Sequence, residues 1–375
     1  MKQKPTICLN MIVKNEIKTL PRLFKSLIDH IDTYLIVDTG STDGTQEYIR
    51  SYMKENNIPG NLHERPWVNF GVNRQMALEL AIGTADYALI IDADEELNVI
   101  EKEILTTFNK DCYNITRNYG GIHYANPALI RISNDNEVGW KWNAPVHNYL
   151  TSKACNTVES IEIQKLHIIS HPHEGAKSHN VSSKEKYLKD AALLEAELMR
   201  NPKDSRSVFY LAQSYKDAEE YDQAIKNYKK RVSLKEWSEE IFYSCYQLGL
   251  IYLHQKKDIN EAEKYFLEAA KVNPYRYPET AYHIIKYYRE TKEYSKGLFW
   301  ALSSLLPNNL TLNSTRMKDF LFTDKSIYSW RLKDEISLLL FYLNEKDFSK
   351  KLMEELLSEA PESQHERITN NLYYF

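Results

Sequence analysis

A chain of 375 residues exceeds one ordinary hydrophobic core, and its 43% hydrophobic content is ample for globular packing. A formal net charge of -4, with Lys and Arg interspersed among acids as in KEKYLKD, gives no sign of a nucleic-acid partner and reads as solvated helix faces. No apolar run approaches the roughly 20 residues that span a bilayer, MKQKPTICLN lacks a signal-peptide core, and Cys8, Cys112, Cys155 and Cys245 show no disulfide framework or metal-ligand spacing, so the expectation is a cytoplasmic protein without an integral membrane segment.

The first ninety residues alternate between buried strands and amphipathic helices. ICLNMIV (Ile7 to Val13) is an apolar, β-branched run, and Thr19 to Ile31 carries Leu20, Leu23, Phe24, Leu27, Ile28 and Ile31 at helical spacing. YLIVD (Tyr34 to Asp38), the turn-rich GSTDGT, a helix from about Thr45 to Asn56, the short LHERPW, a helix over Asn73 to Ile82 and the strand YALIID follow. Strands separated by helices of this length predict a parallel, doubly wound sheet whose ligands sit beyond the carboxyl ends of the strands. Asn15-Glu16, Asp38 and Asp92-Asp94 all fall at such ends.

The run YALII stops abruptly in Asp92-Ala93-Asp94-Glu95-Glu96. Extended alternation would send Asp92 and Asp94 to one side, where hard divalent ions such as Mg²⁺ or Mn²⁺ take oxygen ligands and bridge to substrate phosphates. A second reading makes Asp94 the N-cap of a helix beginning at Glu95. Likewise Asp38 and Asp43 suit turns for conformational reasons alone, Glu16 suits a helix start, and Arg74 a solvated helix face. The absence of G-x-G-x-x-G and of G-x-x-x-x-G-K-[ST] argues against a dinucleotide-binding Rossmann unit or a P-loop NTPase. A carboxylate at the end of the second strand, accepting hydrogen bonds from a base or ribose, together with a metal at the later Asp pair, suits a nucleoside-diphosphate sugar.

At these residues the first hundred or so positions resemble a family 2 glycosyltransferase with the type A fold. VKNE (Val13 to Glu16) stands where that family has a segment such as TYNE, IVDTGSTDGT (Ile36 to Thr45) matches VVDDGSTDGT, and DAD is the metal-binding D-x-D. The resemblance implies that Asp38 contacts the base, that Glu16 lies near the nucleoside, that Asp92 faces the ribose or metal, and that Asp94 ligates the metal. Arg74, in NRQMAL, corresponds to an Arg that faces the nucleotide. Lys14 replaces an aromatic and Thr39 a second Asp, which bears on base identity.

From about Lys110 to Ser183 the pattern weakens to short strand-like pieces, ALIRIS (Ala128 to Ser133) and SIEIQKLHIIS (Ser160 to Ser170). Five of the eleven histidines concentrate between positions 147 and 179, at His147, His167, His171, His173 and His179. Relatives with a helical-repeat tail carry a segment resembling VHE and a later His after a strand; the first reads Val146-His147-Asn148 here, and the second best matches His171, the expected third protein ligand of a Mn²⁺-type site. Sugar transfer with inversion needs a base within reach of the acceptor's proton. Asn148 removes one candidate carboxylate; Glu95, Glu96, Glu137 and Glu174 stay open.

Beyond Ser183, Leu211-Ala212, Tyr215, Ala224 and Tyr228 recur as Leu248-Gly249, Tyr252, Ala262, Phe266, Ala269 and Pro274, then as Ile284-Ile285, Tyr288, Gly297 and Ala301. A period of about 36 residues with small and aromatic positions resembles tetratricopeptide repeats, and Asp334 to Glu359 reads as a further helix pair capping the stack. Such a stack serves a peptide or partner subunit, as in a homodimer, or supports the catalytic domain.

The expected architecture is therefore an α/β, Rossmann-like nucleotide-sugar-binding domain of the type A glycosyltransferase fold over residues 1–183, followed by an all-α helical-repeat domain over residues 184–375. The expected function is metal-dependent, inverting transfer of a hexosyl or N-acetylhexosaminyl group from a UDP-sugar to a glycan, peptide or protein acceptor. A non-catalytic sugar-nucleotide-binding scaffold and a sugar nucleotidyltransferase are the alternatives; the intact Asp92/Asp94 pair opposes the first, and the missing Gly-rich, Lys-bearing phosphate loop the second.

Overall fold

The computed structural model describes residues 4–119, 122–132, 138–171, 174, 182–305 and 320–375. The chain divides into two compact units, Met1–Glu197 and Leu198–Phe375. Helix α4 (Ser183–Arg200) begins at the position where the sequence reading divides the domains, and the first unit runs on to Glu197.

In the first unit, β1 (Ile7–Val13), β2 (Thr33–Asp38), β3 (Gly60–Glu64) and β4 (Tyr87–Ile90) alternate with α1 (Leu20–Leu27), α2 (Thr45–Glu55) and α3 (Phe70–Ala81). Among the described residues one sheet has the order β3-β2-β1-β4-β7-β6-β11-β5, with β10 beside β6. The added strands are β5 (Glu95–Val99), β6 (Cys112–Tyr119), β7 (Ile122–Arg131), β10 (Val158–Ser160) and β11 (Leu166–Ser170), while β8 (Trp140–Asn143) and β9 (Tyr149–Ser152) form a separate ribbon.

Alternation explains the apolar runs. Leu9, Met11, Tyr34 and Ile36 pack under α1 and α2, whereas Cys8, Leu35 and Val37 pack against Ala77, Leu78 and Ala81 of α3. Strands covered on both faces must be apolar at every position. The parallel expectation holds for β3-β2-β1-β4; beyond β4 the sheet is mixed, because β7 pairs antiparallel with both β4 and β6, and β11 runs parallel to β6 but antiparallel to β5. These pairings join segments far apart in sequence, which local periodicity does not report.

The second unit pairs α5 (Ser205–Asp217) with α6 (Tyr221–Ser233), α7 (Ser238–Ile251) with α8 (Ile259–Val272), and α9 (Tyr277–Glu290) with α10 (Tyr294–Leu305). Helices Leu332–Tyr342 and Lys346–Glu359 form the further pair, followed by Glu362–Leu372. The small positions act as expected: Ala224, Ala262 and Ala301 are fully buried, and Gly249 lies so close to the Phe266 ring that a Cβ would sit 2.6 Å from it. Among the described residues no helix is long and apolar enough to cross a membrane.

Candidate functional site

The ends of β1, β2 and β4 carry the residues singled out in the sequence. After β1 the chain turns sharply at Asn15, whose φ is 57°. Its side-chain oxygen accepts from the Thr42 N–H at 2.8 Å, and its own N–H donates to Ser41 Oγ at 2.8 Å. Glu16 is tied in by its N–H to Thr45 Oγ1 at 2.9 Å, and the Thr19 hydroxyl donates to its carboxylate at 2.8 Å. Asp43 is a loop organiser: one oxygen accepts from the Thr45 N–H and hydroxyl and the other from the Ile17 N–H. Burial raises its carboxyl, and these hydrogen bonds outweigh that and hold it below the ordinary value. Thr39, where the resemblance has a second Asp, is buried and donates through both N–H and hydroxyl to the Val13 carbonyl.

Asp38 is different. It is fully buried, and its Oδ1 accepts from the Gly40 and Ser41 N–H groups at 2.9 Å each and from Gln46 Nε2 at 2.8 Å. Its Oδ2 is buried with no hydrogen-bond partner. Asp38 and Gln46 line an open pocket with Gly40, Glu64, Arg65 and Pro66. A pure turn residue would satisfy both oxygens; here one carboxylate oxygen is left without a partner, in a residue that borders a pocket.

At the end of β4 the chain does not continue extended. Residues 92–95 form a turn, with the Glu95 N–H donating to the Asp92 carbonyl at 3.1 Å, and β5 then begins at Glu95. The helix expected on the N-cap reading of Asp94 is absent, and Asp92 and Asp94 flank the turn rather than share one face of a strand. The turn is held by Glu95, whose Oε2 accepts from the Asp92 N–H at 2.9 Å and whose Oε1 accepts from Arg117 Nε and Ser170 Oγ at 2.8 Å each. Arg117 also donates to the Ile90 carbonyl at 3.1 Å and to Asn126 Oδ1. The Arg117 and Glu95 side chains are 7% and 6% exposed, so Glu95 serves as a buried strut and not as a free base. Sequence reasoning missed Arg117 and Ser170, because only the pairing of β6 and β11 with the rest of the sheet brings them here.

Arg74, on the first turns of α3, reaches Asp92 with Nη2 at 2.6 and 2.8 Å and Asn148 Oδ1 with Nη1 at 3.4 Å. Its guanidinium lies 5.2 Å from the Trp142 ring and 5.8 Å from Phe70. Arg74, Asp92 and the Val146-His147-Asn148 segment are thus brought together. Burial in the cleft raises the Asp92 carboxyl, but the guanidiniums of Arg74 and Arg117 outweigh it and hold Asp92 below the ordinary range. Asp94 has no such compensation: burial and the charges of Asp92, Glu95 and Glu16 push it up to about 6.

Antiparallel pairing of β5 and β11 carries His171 to Asp94, where its N–H donates to the Asp94 carbonyl at 3.0 Å. Its ring, however, meets Glu96, with Nε2 3.2 Å from Oε2. His167 is structural, bracketed by the Ile163 carbonyl and Asn98. Glu174 pairs with Arg22 at 2.6 Å, a hydrogen bond that lowers its carboxyl. His173, His179 and Glu137 lie outside the described residues.

The donor set fits a divalent ion in part. Asp94 is a carboxylate in a surplus of negative charge, which a cation would relieve. Among the described residues no group of three His, Cys, Asp or Glu side chains is set to hold a metal unaided. An ion held by Asp94 would take its remaining ligands from water and substrate phosphate oxygens.

Residues 8–125 match the family described as glycosyl transferase family 2, and residues 242–276 match the tetratricopeptide repeat. The family 2 match lies within the first unit. Its matched span runs from β1 into β7 and includes the ends of β1, β2 and β4, but not Asn148, Ser170 or His171. The SPbeta prophage-derived glycosyltransferase SunS of Bacillus subtilis is 25% identical over 247 residues, 60% of this chain and 54% of its own length. A TPR repeat-containing protein of Synechococcus elongatus is 35% identical over 92 residues, 24% of this chain and 21% of its own. The chain therefore spans about half the length of its glycosyltransferase relative and about a fifth of the repeat protein. Among solved structures, S. aureus TarS 1-349 in complex with UDP-GlcNAc covers 71% of this chain and 91% of its own at a TM-score of 0.41 and 17% identity. The MamA protein covers 49% and 87% at a TM-score of 0.35 and 18% identity.

Proposed function

We propose that the family 2 domain binds a nucleotide sugar, specifically a UDP-sugar, and transfers its hexosyl or N-acetylhexosaminyl group, with inversion, to a glycan, peptide or protein acceptor. The observation that carries this reading is the pairing of two unsatisfied acidic groups at the carboxyl ends of parallel strands: the orphaned Asp38 Oδ2 and the uncompensated Asp94.

Asp38 supports uridine in particular. Its Oδ1 is committed to three donors, so one oxygen remains for the base. The imide edge of uracil offers a single N–H between two carbonyls and matches one acceptor. Guanine offers two adjacent donors and would leave one unpaired at a cost of about 1–3 kcal/mol. Arg65, on the pocket wall, is placed to donate to a base carbonyl.

A divalent ion, Mn²⁺ or Mg²⁺, held by Asp94 with Asp92 or His171, would neutralise the diphosphate that leaves when the sugar is transferred. Arg74 supplies fixed positive charge beside Asp92, and the Glu95–Arg117 pair keeps the Asp92–Asp94 turn in one conformation. Glu16 faces the same negative surplus and stands near the nucleoside in this reading. Screening UDP- and GDP-sugars with Mn²⁺ for released nucleoside diphosphate tests the proposal. UDP release from one or more UDP-sugars, lost in chelator, is expected; no release from any nucleotide sugar by folded protein contradicts it.

A further inference from the structure

A nucleobase held at Asp38 by its edge keeps both of its flat faces. The pocket that Asp38 and Gln46 line is completed by Gly40, Glu64, Arg65 and Pro66, which offer charge and hydrogen bonds but no aromatic surface. Hydrogen bonds replace bonds to water at small net gain, whereas an aromatic side chain under a base stabilises it whatever its identity. Such a side chain stands two residues beyond the pocket wall, at Trp67.

The loop after β3 is fixed on both sides of this residue. Arg65 is tied to the end of β2, its N–H donating to the Asp38 carbonyl at 2.9 Å. Asn73, fully buried in the first turn of α3, donates from Nδ2 to the Pro66 carbonyl at 3.0 Å and accepts at Oδ1 from the Val68 N–H at 2.9 Å. One buried amide thus clamps the residues immediately before and after Trp67. Asn69 then caps α3 by accepting from the Val72 N–H at 2.9 Å. Trp67 itself is 39% exposed, so a rigid loop presents part of a large ring to solvent beside the pocket.

The indole is also linked to the other end of the site. It meets Phe70 edge to face, with ring centroids 4.8 Å apart and planes at 83°, a contact that sets its tilt. Phe70 lies 5.8 Å from the Arg74 guanidinium, which lies 5.2 Å from Trp142 and is bonded to Asp92. The row Trp67, Phe70, Arg74, Trp142 therefore runs from the Asp38 side to the Asp92 side, which is the path of a nucleoside diphosphate in the donor reading.

We infer that Trp67 is the stacking platform for the donor's nucleobase, which lies against the exposed part of the indole while its edge reaches Asp38 Oδ2. The inference rests on the donor reading above and adds to it a residue outside the strand-end segments. Labour is divided: stacking on Trp67 supplies affinity for any base, and the single acceptor at Asp38 supplies the choice among bases. Asn73 acts through Trp67 and is a positioning residue.

The test measures binding of UDP and of inorganic pyrophosphate, each with Mn²⁺, to the full chain by calorimetry. Trp67→Ala should weaken UDP about ten-fold or more and leave pyrophosphate unchanged, while Trp67→Phe, which keeps an aromatic face, should hold UDP within about three-fold of wild type. The chain has six tryptophans, and UDP should quench their emission in wild type; most of that quench should vanish in Trp67→Phe although binding persists. Unchanged UDP affinity in Trp67→Ala overturns the inference, as does an equal loss for UDP and pyrophosphate, which would make the ring a support for the loop. An unfolded Trp67→Ala chain would place the ring in the core and overturn it too. If Asp38→Ala loses UDP while Trp67→Ala keeps it, the stacking inference alone fails; if wild type takes up no UDP, the donor reading fails with it.

Discussion

Asp94→Asn should make the metal-free protein more stable while removing its capacity to bind a donor. In the fold the Asp94 carboxyl titrates near 6, against 3.8 for an unperturbed aspartate. The upward direction, from burial and from the charges of Asp92, Glu95 and Glu16, means that the ionised form is disfavoured in the folded chain. A rise of that size corresponds to about 3 kcal/mol, and solvent screening of a partly exposed group reduces the usable figure to about 1–2 kcal/mol. The sign follows from proton linkage. Between pH 3.8 and about 6 the folded chain binds more protons than the unfolded one, so stability falls as pH rises through that window and the penalty is complete above it. Asparagine carries no charge at any pH. In chelator at pH 7.5, urea unfolding should therefore show the variant about 1–2 kcal/mol more stable than wild type, with the advantage shrinking towards pH 4. Saturating Mn²⁺ should reverse the order, since an ion at 100 times its Kd adds about 2.7 kcal/mol to the form that binds it. A variant less stable than wild type in chelator, or a difference that does not change with pH, would refute the reasoning.

Three other substitutions probe separate links. If the proposed role of Asp38 in recognising the nucleoside holds, Asp38→Ala should weaken UDP binding by about 1.5–3 kcal/mol in calorimetry and raise the donor KM more than it lowers kcat; unchanged affinity would reduce Asp38 to a turn residue. Arg117→Met leaves Glu95 buried and unpaired, and should cost about 3–5 kcal/mol in urea unfolding, while the double variant Arg117→Met/Glu95→Leu should cost less than the sum of the single changes; strict additivity would deny the coupling. Gly249→Ala places a Cβ 2.6 Å from the Phe266 ring and should lower the melting stability of the repeat unit by about 1–3 kcal/mol, with no change expected in donor binding by the first unit.

The parts of the site that were legible in the sequence are those set by local pattern. Ile7 to Val13, Tyr34 to Asp38 and Tyr87 to Ile91 read as strands because each is continuously apolar, and the polar residues that end them stand where ligands gather. Ala224, Ala262 and Ala301 were readable as repeat contacts because a tight helix crossing admits only small side chains. The Asp92–Asp94 turn was not readable, since what fixes it is Glu95 bonded to Arg117, 22 positions away, and to Ser170, 75 positions away. EELNV has ordinary helix-forming residues, and its strand state comes from pairing with LHIIS. The same pairing puts His171 beside Asp94, while its ring turns to Glu96 through a contact that spacing alone does not encode. The free Asp38 oxygen is likewise invisible in sequence, because it depends on the Gly40 and Ser41 N–H groups and Gln46 all converging on Oδ1.

The measurement that tests the central claim most directly is a crystal structure of the chain soaked with UDP and Mn²⁺, phased to show the manganese anomalous signal. The account predicts the manganese bound to an Asp94 oxygen and to the diphosphate, with the uracil N3–H donating to Asp38 Oδ2. Ordered nucleotide elsewhere on the protein, or manganese on the diphosphate with Asp94 uncoordinated and Asp38 Oδ2 still unpartnered, would contradict it.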